Sequence, residues 1–214
     1  MKPLPKNIFV TGIGTGVGKT LASAILCEAL RADYWKPVQC GNLENSDSNF
    51  VRESISNTVS KIHKEAYRFT TPASPHFAAK QENKIFEIES LSIPSTPNRL
   101  IIEGAGGILV PLNNELVNFD LTEYFKLPVI IVARNYLGSI NHTLLTVEFL
   151  DSRNAEILGI IFSGNNYNDN EEIIQHFTQL PILGRMDEAK IFDKKFISAE
   201  AEKMKSSLSE FLIL

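Results

Sequence analysis

The stretch Phe9-Val10-Thr11-Gly12-Ile13-Gly14-Thr15-Gly16-Val17-Gly18-Lys19-Thr20 holds the residue types that bind a nucleotide phosphate. Closely spaced glycines let backbone N–H groups approach phosphate oxygens. A helix beginning near Lys19 adds N–H groups that lack partners within the helix. Lys19 brings a mobile ammonium, and Thr20 brings a hydroxyl suited to bound magnesium. Five residues separate Gly12 from Gly18, one more than in the common phosphate-binding loop. The plain alternative is a glycine turn ahead of a surface helix. The apolar strand before the loop and the Gly18-Lys19-Thr20 ending favour the phosphate site.

Two carboxylates extend this chemistry. Magnesium bridging nucleotide phosphates takes hard oxygen ligands, few of them from protein. Thr20, Asp47 and Glu103 would supply them, although Asp47 also suits a helix cap. Glu103 ends an apolar strand just before Gly104-Ala105-Gly106-Gly107, where an unpaired charge would be costly. Lys36, unless it is a surface lysine, could neutralise a transferring phosphoryl group or a second anionic substrate. Gly138-Ser139 at a helix start could hold a carboxylate through backbone N–H groups. These residues indicate a nucleoside triphosphate, magnesium and phosphoryl chemistry, and they leave the acceptor open.

The elements that must position them alternate in type. Strands are expected at Ile8–Val10, Tyr34–Val38, Leu100–Glu103, Val129–Ala133, Ile157–Ser163 and Pro181–Gly184, with Ile108–Leu112 as a candidate edge element. Leu21, Ile25, Leu26, Ala29 and Leu30 recur at helical spacing after the loop. Further helices are expected after Ser46 or Asp47, at Phe77–Ala79, over Ile85–Leu91, from Phe119 towards Leu127, over Ile140–Leu150, over Glu171–Phe177 and from Ala199 to Leu212. Gln39–Asn49 and Arg134–Ser139 read as loops. Pro37 argues against a fully paired central position for its strand. The pattern predicts one domain over residues 1–214, a three-layer α/β fold with a mostly parallel central sheet flanked by helices. Lys19, Thr20, Lys36, Asp47, Glu103, Asn135 and Asn165 would then share the carboxyl edge of the sheet, where open parallel sheets bind ligands.

Composition excludes several classes. Hydrophobic residues make up 43% of the 214, enough for a full core. The net charge of −4, with no basic cluster, argues against a general nucleic-acid binder. Cys27 and Cys40 make no disulfide framework. No run is long and apolar enough to span a bilayer, and the amino-terminal residues lack the features of a secretory signal, so a cytoplasmic location is expected.

Taken together, the chain resembles the dethiobiotin synthetase family, part of the deviant P-loop group that includes the MinD and ParA ATPases. The resemblance rests on Thr11 to Thr20, Lys36-Pro37-Val38-Gln39-Cys40-Gly41, Ser46-Asp47 and Thr71-Pro72-Ala73-Ser74-Pro75-His76. It continues through Ile102-Glu103-Gly104-Ala105-Gly106-Gly107 and Leu137-Gly138-Ser139-Ile140-Asn141-His142-Thr143. It implies a P-loop NTPase-like fold and a cytoplasmic homodimer. The implied reaction converts 7,8-diaminopelargonate, CO₂ and ATP to dethiobiotin through a carbamate and a carbamic-phosphoric anhydride. It also implies that Gly14, Thr15, Gly16, Val17, Gly18, Lys19, Thr20 and Asn165 bind the nucleotide. Thr20, Asp47 and Glu103 would hold Mg²⁺. Lys19, Lys36 and Thr15 would act in catalysis. Lys36, Cys40, Gly106, Gly138, Ser139, Ile140 and Asn141 would bind the diamine, the last four in a segment that a partner chain could supply.

Three departures from the family pattern stand out. Ile13 and Gly14 replace a Thr-Asp pair in the first loop. Cys40, a poorer hydrogen-bonding group, stands where serine is usual. Ser163-Gly164-Asn165-Asn166 leaves the register of a base-reading asparagine open, and with it the choice among ATP, GTP and CTP. A MinD- or ParA-like switch is the rival from another class, but Ile13, Gly14 and Thr15 offer no signature lysine. No Asn-Lys-x-Asp base motif of the GTPases occurs either.

Overall fold

The computed structural model describes residues 1–165 and 169–214. The ordered elements are β1 (Lys2–Pro3), β2 (Asn7–Gly12), α1 (Lys19–Leu30), β3 (Asp33–Trp35), β4 (Val38–Cys40), α2 (Asp47–Ser54), β5 (Tyr67–Phe69) and α3 (Pro75–Gln81). A 3₁₀ turn at Ile88–Ser90 follows, then β6 (Leu100–Gly107), α4 (Asn118–Phe125), β7 (Val129–Arg134), α5 (Ser139–Ser152) and β8 (Ile157–Ser163). The chain finishes with α6 (Asn170–Thr178), β9 (Ile182–Met186), α7 (Lys194–Phe211) and β10 (Leu212–Ile213).

Six strands form one parallel sheet in the order β3-β6-β2-β7-β8-β9. Alternation along β2 divides the core between its faces. Ile8 and Val10 point into a cluster with Ala22, Ile25 and Leu26 of α1 and with Ile197, Met204 and Leu208 of α7. Phe9 points the other way, into a cluster with Ala78 of α3, Phe119 of α4, Val147 of α5 and Ile174 of α6. Burying a side chain of this size contributes roughly 2 kcal/mol, so helices on both faces hold the sheet. The chain runs from β2 outward to the β3 edge, returns through β6, then continues on the other side through β7, β8 and β9. That reversal places a crevice at the carboxyl ends of β2 and β6.

Several expectations are corrected. Tyr34–Val38 is not one strand: the ladder to β6 stops at Trp35 opposite Ile102, one residue before Lys36. Pro37 has no N–H to give, and its carbonyl instead accepts from Ala66 and Tyr67 N–H at 3.0 and 2.9 Å. The chain then forms β4, so Gln39 and Cys40 are strand residues, paired with a short β5 that lacks an apolar run. Ile85–Leu91 is not a helix beyond the 3₁₀ turn. Phe86, Ile88 and Leu91 are buried while Ile85 is 76% exposed, a spacing of two and three that no continuous helical stripe satisfies. Ile108–Leu112 makes only a single antiparallel bridge, Pro111 to Val117. Arg134 ends β7 rather than opening a loop. The amino- and carboxyl-terminal segments pair as a parallel two-stranded ribbon, β1 with β10, that the sequence pattern does not announce. Ser46 caps α2, its Oγ accepting from Asn49 N–H at 3.3 Å. Among the described residues no helix is long and apolar enough to cross a membrane.

Candidate active site

The crevice is a cavity of about 970 Å³. Thr15 to Leu21 form its floor, between β2 and the first turn of α1. Gly18 precedes the helix with φ +94°, a left-handed value that glycine adopts without strain, and no side chain caps the turn. The first N–H groups of α1 therefore remain available to an anion. A Cβ at Gly18 would also come within 3.3 Å of Met186 Cε and 3.4 Å of Ser163 Oγ, so β8 and β9 press against the loop. Ser163 Oγ donates to the Val17 carbonyl at 2.8 Å and ties the two together. Lys19 Nζ donates to the Gly14 carbonyl at 3.0 Å, folded back over its own loop.

Beside the loop, residues from four elements converge. Thr20 Oγ1 lies 3.0 Å from Asp47 Oδ1 and 3.0 Å from Glu103 Oε1. Lys36 Nζ donates to Asp47 Oδ2 and, at 3.2 Å, to Glu103 Oε1. Tyr34 O–H donates to Glu103 Oε2 at 2.8 Å. Burial alone would lower the pKa of Lys36, but Glu103 and Asp47 outweigh it and hold the ammonium above its usual value. Burial would likewise raise Asp47, and Lys36 and Thr20 outweigh it and keep this carboxylate below its usual range. Lys19 goes the other way: burial first, helped by the nearby Lys36 charge, lowers it to about 8. Burial, then Glu103, pushes the Tyr34 phenol well above its normal value, so it acts as a donor.

These oxygens fit a small hard cation. Octahedral magnesium with bonds of about 2.1 Å has neighbouring ligand oxygens about 3.0 Å apart. Thr20 Oγ1 stands at that spacing from one oxygen of each carboxylate. The donor set is one hydroxyl and two carboxylates, with room beside it for phosphate and water oxygens. Among the described residues no group of three or more His, Cys, Asp or Glu side chains forms a metal cluster, so any cation here depends on Thr20 and on ligands from outside the chain.

At one end of the cavity the wall is Val38, Gln39, Cys40 and the run Pro72 to Pro75. Gly41 has φ +69°, and a Cβ there would lie 2.5 Å from Pro72 Cβ; glycine lets β4 and this wall touch. Burial, partly offset by Lys36, raises the Cys40 thiol to about 11, so it stays protonated. At the other end lie Arg134, Ser163, Gly164, Asp187, Glu188, Ala189 and Phe192, while Gly106 faces the middle.

Of the residues named from sequence, Thr15 to Thr20, Lys36, Cys40, Asp47, Glu103 and Gly106 line this one cavity. Gly14 joins them through its carbonyl. Asn165 does not line it; its amide donates to Glu188 Oε2 at 3.1 Å, one residue removed. Asn135 is buried and donates to Glu171 Oε1 at 2.6 Å, also outside the wall. Asn166 lies outside the described residues. Gly138, Ser139, Ile140 and Asn141 sit elsewhere on the same chain, with Gly138 and Asn141 exposed and Ser139 buried against Asn170. Sequence reasoning did not assign Tyr34 or the Asp187–Phe192 segment to the site. The signal for Tyr34 was its place two residues before Lys36, the spacing that brings side chains to one face of a strand.

Comparison with known proteins gives the family and the fold. The family model described as an AAA domain matches residues 6–195. The ATP-dependent dethiobiotin synthetase of Christiangramia forsetii is 48% identical over 97% of this chain and 100% of its own length. That of Cytophaga hutchinsonii is 46% identical over 93% of this chain and 97% of its own, and that of Chlamydia pneumoniae 45% over 94% and 90%. Solved structures share the fold at much lower identity. The Pyrococcus furiosus cell division ATPase MinD superposes with a TM-score of 0.59 at 11% identity, covering 96% of this chain and 99% of that one. A ParA family ATPase of Chlorobium tepidum gives 0.52 at 13%, covering 97% of each.

Proposed function

The chain belongs to the ATP-dependent dethiobiotin synthetase family, and from that premise we propose how its residues carry out the reaction. The activity is the ATP- and Mg²⁺-dependent closure of a ureido ring from 7,8-diaminopelargonate and CO₂, giving dethiobiotin, ADP and phosphate in biotin biosynthesis. One substrate amine adds to CO₂, forming the N–C bond of a carbamate. A carbamate oxygen takes the γ-phosphoryl group as the bond to ADP breaks. The second amine then attacks the carbonyl carbon, and phosphate leaves.

Because the diamine brings both nucleophiles, the protein's part is positioning and charge stabilisation. The observation that carries this reading is the meeting of Lys36, Thr20, Asp47 and Glu103 at one point beside the first turn of α1. The loop from Gly14 to Thr20 cradles the triphosphate, with Thr15 reaching its outer end. Lys19 and Lys36 draw off negative charge from the γ-phosphate and the carbamate. Thr20, Asp47 and Glu103 are the residues that would hold Mg²⁺, which when bound supplies charge neutralisation across the phosphates. Cys40 and Gly106 border the diamine, and the protonated thiol offers it only a weak donor. The opposite end, with Glu188 and its partner Asn165, receives the base. Gly138 to Asn141 take the substrate carboxylate from the partner subunit of a homodimer. Residues 1–214 work as one domain, in the cytoplasm, with no nucleic acid or membrane involved.

The test is a phosphate-release assay with Mg²⁺, bicarbonate and ATP, with and without the diamine, joined to the mass of the product. Diamine-dependent release with a product heavier by one carbonyl and lighter by two hydrogens is expected. Release that ignores the diamine would return the chain to the switch ATPases. Repeating the assay with GTP and CTP assigns the base preference.

A further inference from the structure

Each carboxylate of the cluster turns one oxygen to Thr20 and has the other held by a second donor. Asp47 Oδ2 accepts from Lys36, and Glu103 Oε2 accepts from Tyr34 at 2.8 Å. The two ties differ in kind. Lys36 is a flexible side chain that also faces substrate, whereas Tyr34 is a fully buried strand residue, packed in the core with α1 and in register with Ile101, two residues before Glu103. Among the described residues, Glu103 is the hydrogen-bond partner of its hydroxyl. The phenol therefore fixes the rotation of the Glu103 carboxylate and leaves Oε1 alone facing Thr20 and Lys36.

We propose that Tyr34 restricts Glu103 to one-oxygen coordination and so makes the site select Mg²⁺ against Ca²⁺. Calcium takes six to eight oxygens and readily accepts two from one carboxylate, while magnesium takes six at near-ideal octahedral angles. A carboxylate that cannot turn its second oxygen inward suits the smaller ion. Tyr34 is then a positioning residue, and the inference rests on Glu103 being a metal ligand, as assigned above.

The test uses Tyr34→Phe, which keeps the ring and removes only the donor. Mg²⁺ and Ca²⁺ affinities are titrated calorimetrically on the full-length protein with a non-hydrolysable ATP analogue, alongside the melting temperature. In the variant Mg²⁺ binding weakens about tenfold, as is common when a group supporting a ligand is lost, and the Mg²⁺/Ca²⁺ affinity ratio falls with it. An unchanged ratio with a lowered melting temperature would make Tyr34 an ordinary core tyrosine and overturn the inference. Glu103→Gln separates the two layers. If it leaves Mg²⁺ affinity intact, the ligand assignment falls and takes the inference with it. If it weakens Mg²⁺ while Tyr34→Phe leaves the ratio unchanged, the inference alone falls. Should Tyr34→Phe not fold, infrared difference spectra of the wild type, assigned against Glu103→Gln, decide. The wide carboxylate band separation of one-oxygen coordination is expected with Mg²⁺, and the narrow separation of a two-oxygen ligand would overturn it.

Discussion

Lys36 is held between two carboxylates and away from water, and its removal has two separable effects. Lys36→Gln keeps a polar side chain, one bond shorter, but leaves Asp47 and Glu103 facing each other without a cation. Loss of stability of about 3 kcal/mol is expected, the range for breaking a buried ion pair, less whatever water recovers at the half-buried Asp47. Added Mg²⁺ should restore part of it in a thermal melt. kcat should fall about 10²- to 10³-fold, as when one charge-stabilising donor is lost; a kcat within twofold of the wild type would remove Lys36 from the chemistry. Lys19 makes a different prediction, through pH. Its folded value of about 8 lies below the ordinary 10.5, so the charged form opposes folding below about pH 8. That opposition is relieved as pH rises from 8 towards 10.5, where the folded form has released its proton and the unfolded form has not. Phosphate favours the ammonium, so above about pH 8 nucleotide binding must take up a proton. Metal-free ATP affinity should weaken as pH rises through 8, with proton uptake visible as a buffer-dependent heat in calorimetry. Affinity that stays constant between about pH 7 and about pH 9 would contradict it.

At the scale of elements, the wall made by β4 and the Pro72–Pro75 run depends on one close approach. Gly41→Ala would place a Cβ 2.5 Å from Pro72 Cβ at a φ of +69°. The expected outcome is a loss of about 1–3 kcal/mol and a raised KM for the diamine, with KM for ATP nearly unchanged. A variant with both KM values intact would show that this wall does not shape the diamine's end. The same region marks how far the sequence could be read. The central strands were legible because buried parallel strands are short apolar runs: Ile157–Ser163 was expected and found with the same bounds. The Ser46 cap of α2 was legible because its donor–acceptor chemistry is local. β5, Tyr-Arg-Phe, was not legible, since it is a strand only because Pro37 frees the backbone of β4 to pair with it. The site shows the same division. The loop, Lys36, Asp47 and Glu103 carried their chemistry in type and spacing, whereas Tyr34 and Glu188 depend on which strands lie side by side.

At the scale of the whole molecule, sheet order brings Thr20 and Glu103, 83 residues apart in sequence, within 3.0 Å of each other, because β6 inserts between β3 and β2. The same order leaves Gly138 to Asn141 off this chain's own cavity. If a second subunit supplies that segment, mixing Lys36→Gln with Asn141→Ala subunits, refolded together, should recover about a quarter of wild-type activity from sites that carry neither change. No recovery, with mixed dimers confirmed by mass spectrometry, would place each complete site within one chain. The hydrogen bond between Ser163 and Val17 spans two parts of the cavity. It joins the end of the cavity proposed to receive the base directly to the loop proposed to grip the phosphates, over 2.8 Å. A base that seats badly would therefore displace the phosphate grip as well as lose its own contacts. Discrimination among ATP, GTP and CTP should then surface in turnover as well as in affinity, with poorer bases lowering kcat. Replacing Ser163 with alanine should uncouple the two, leaving nucleotides that differ in KM but share nearly one kcat. On that outcome the hydroxyl would be a timing link, by which the chain checks the identity of its fuel while committing it to the reaction.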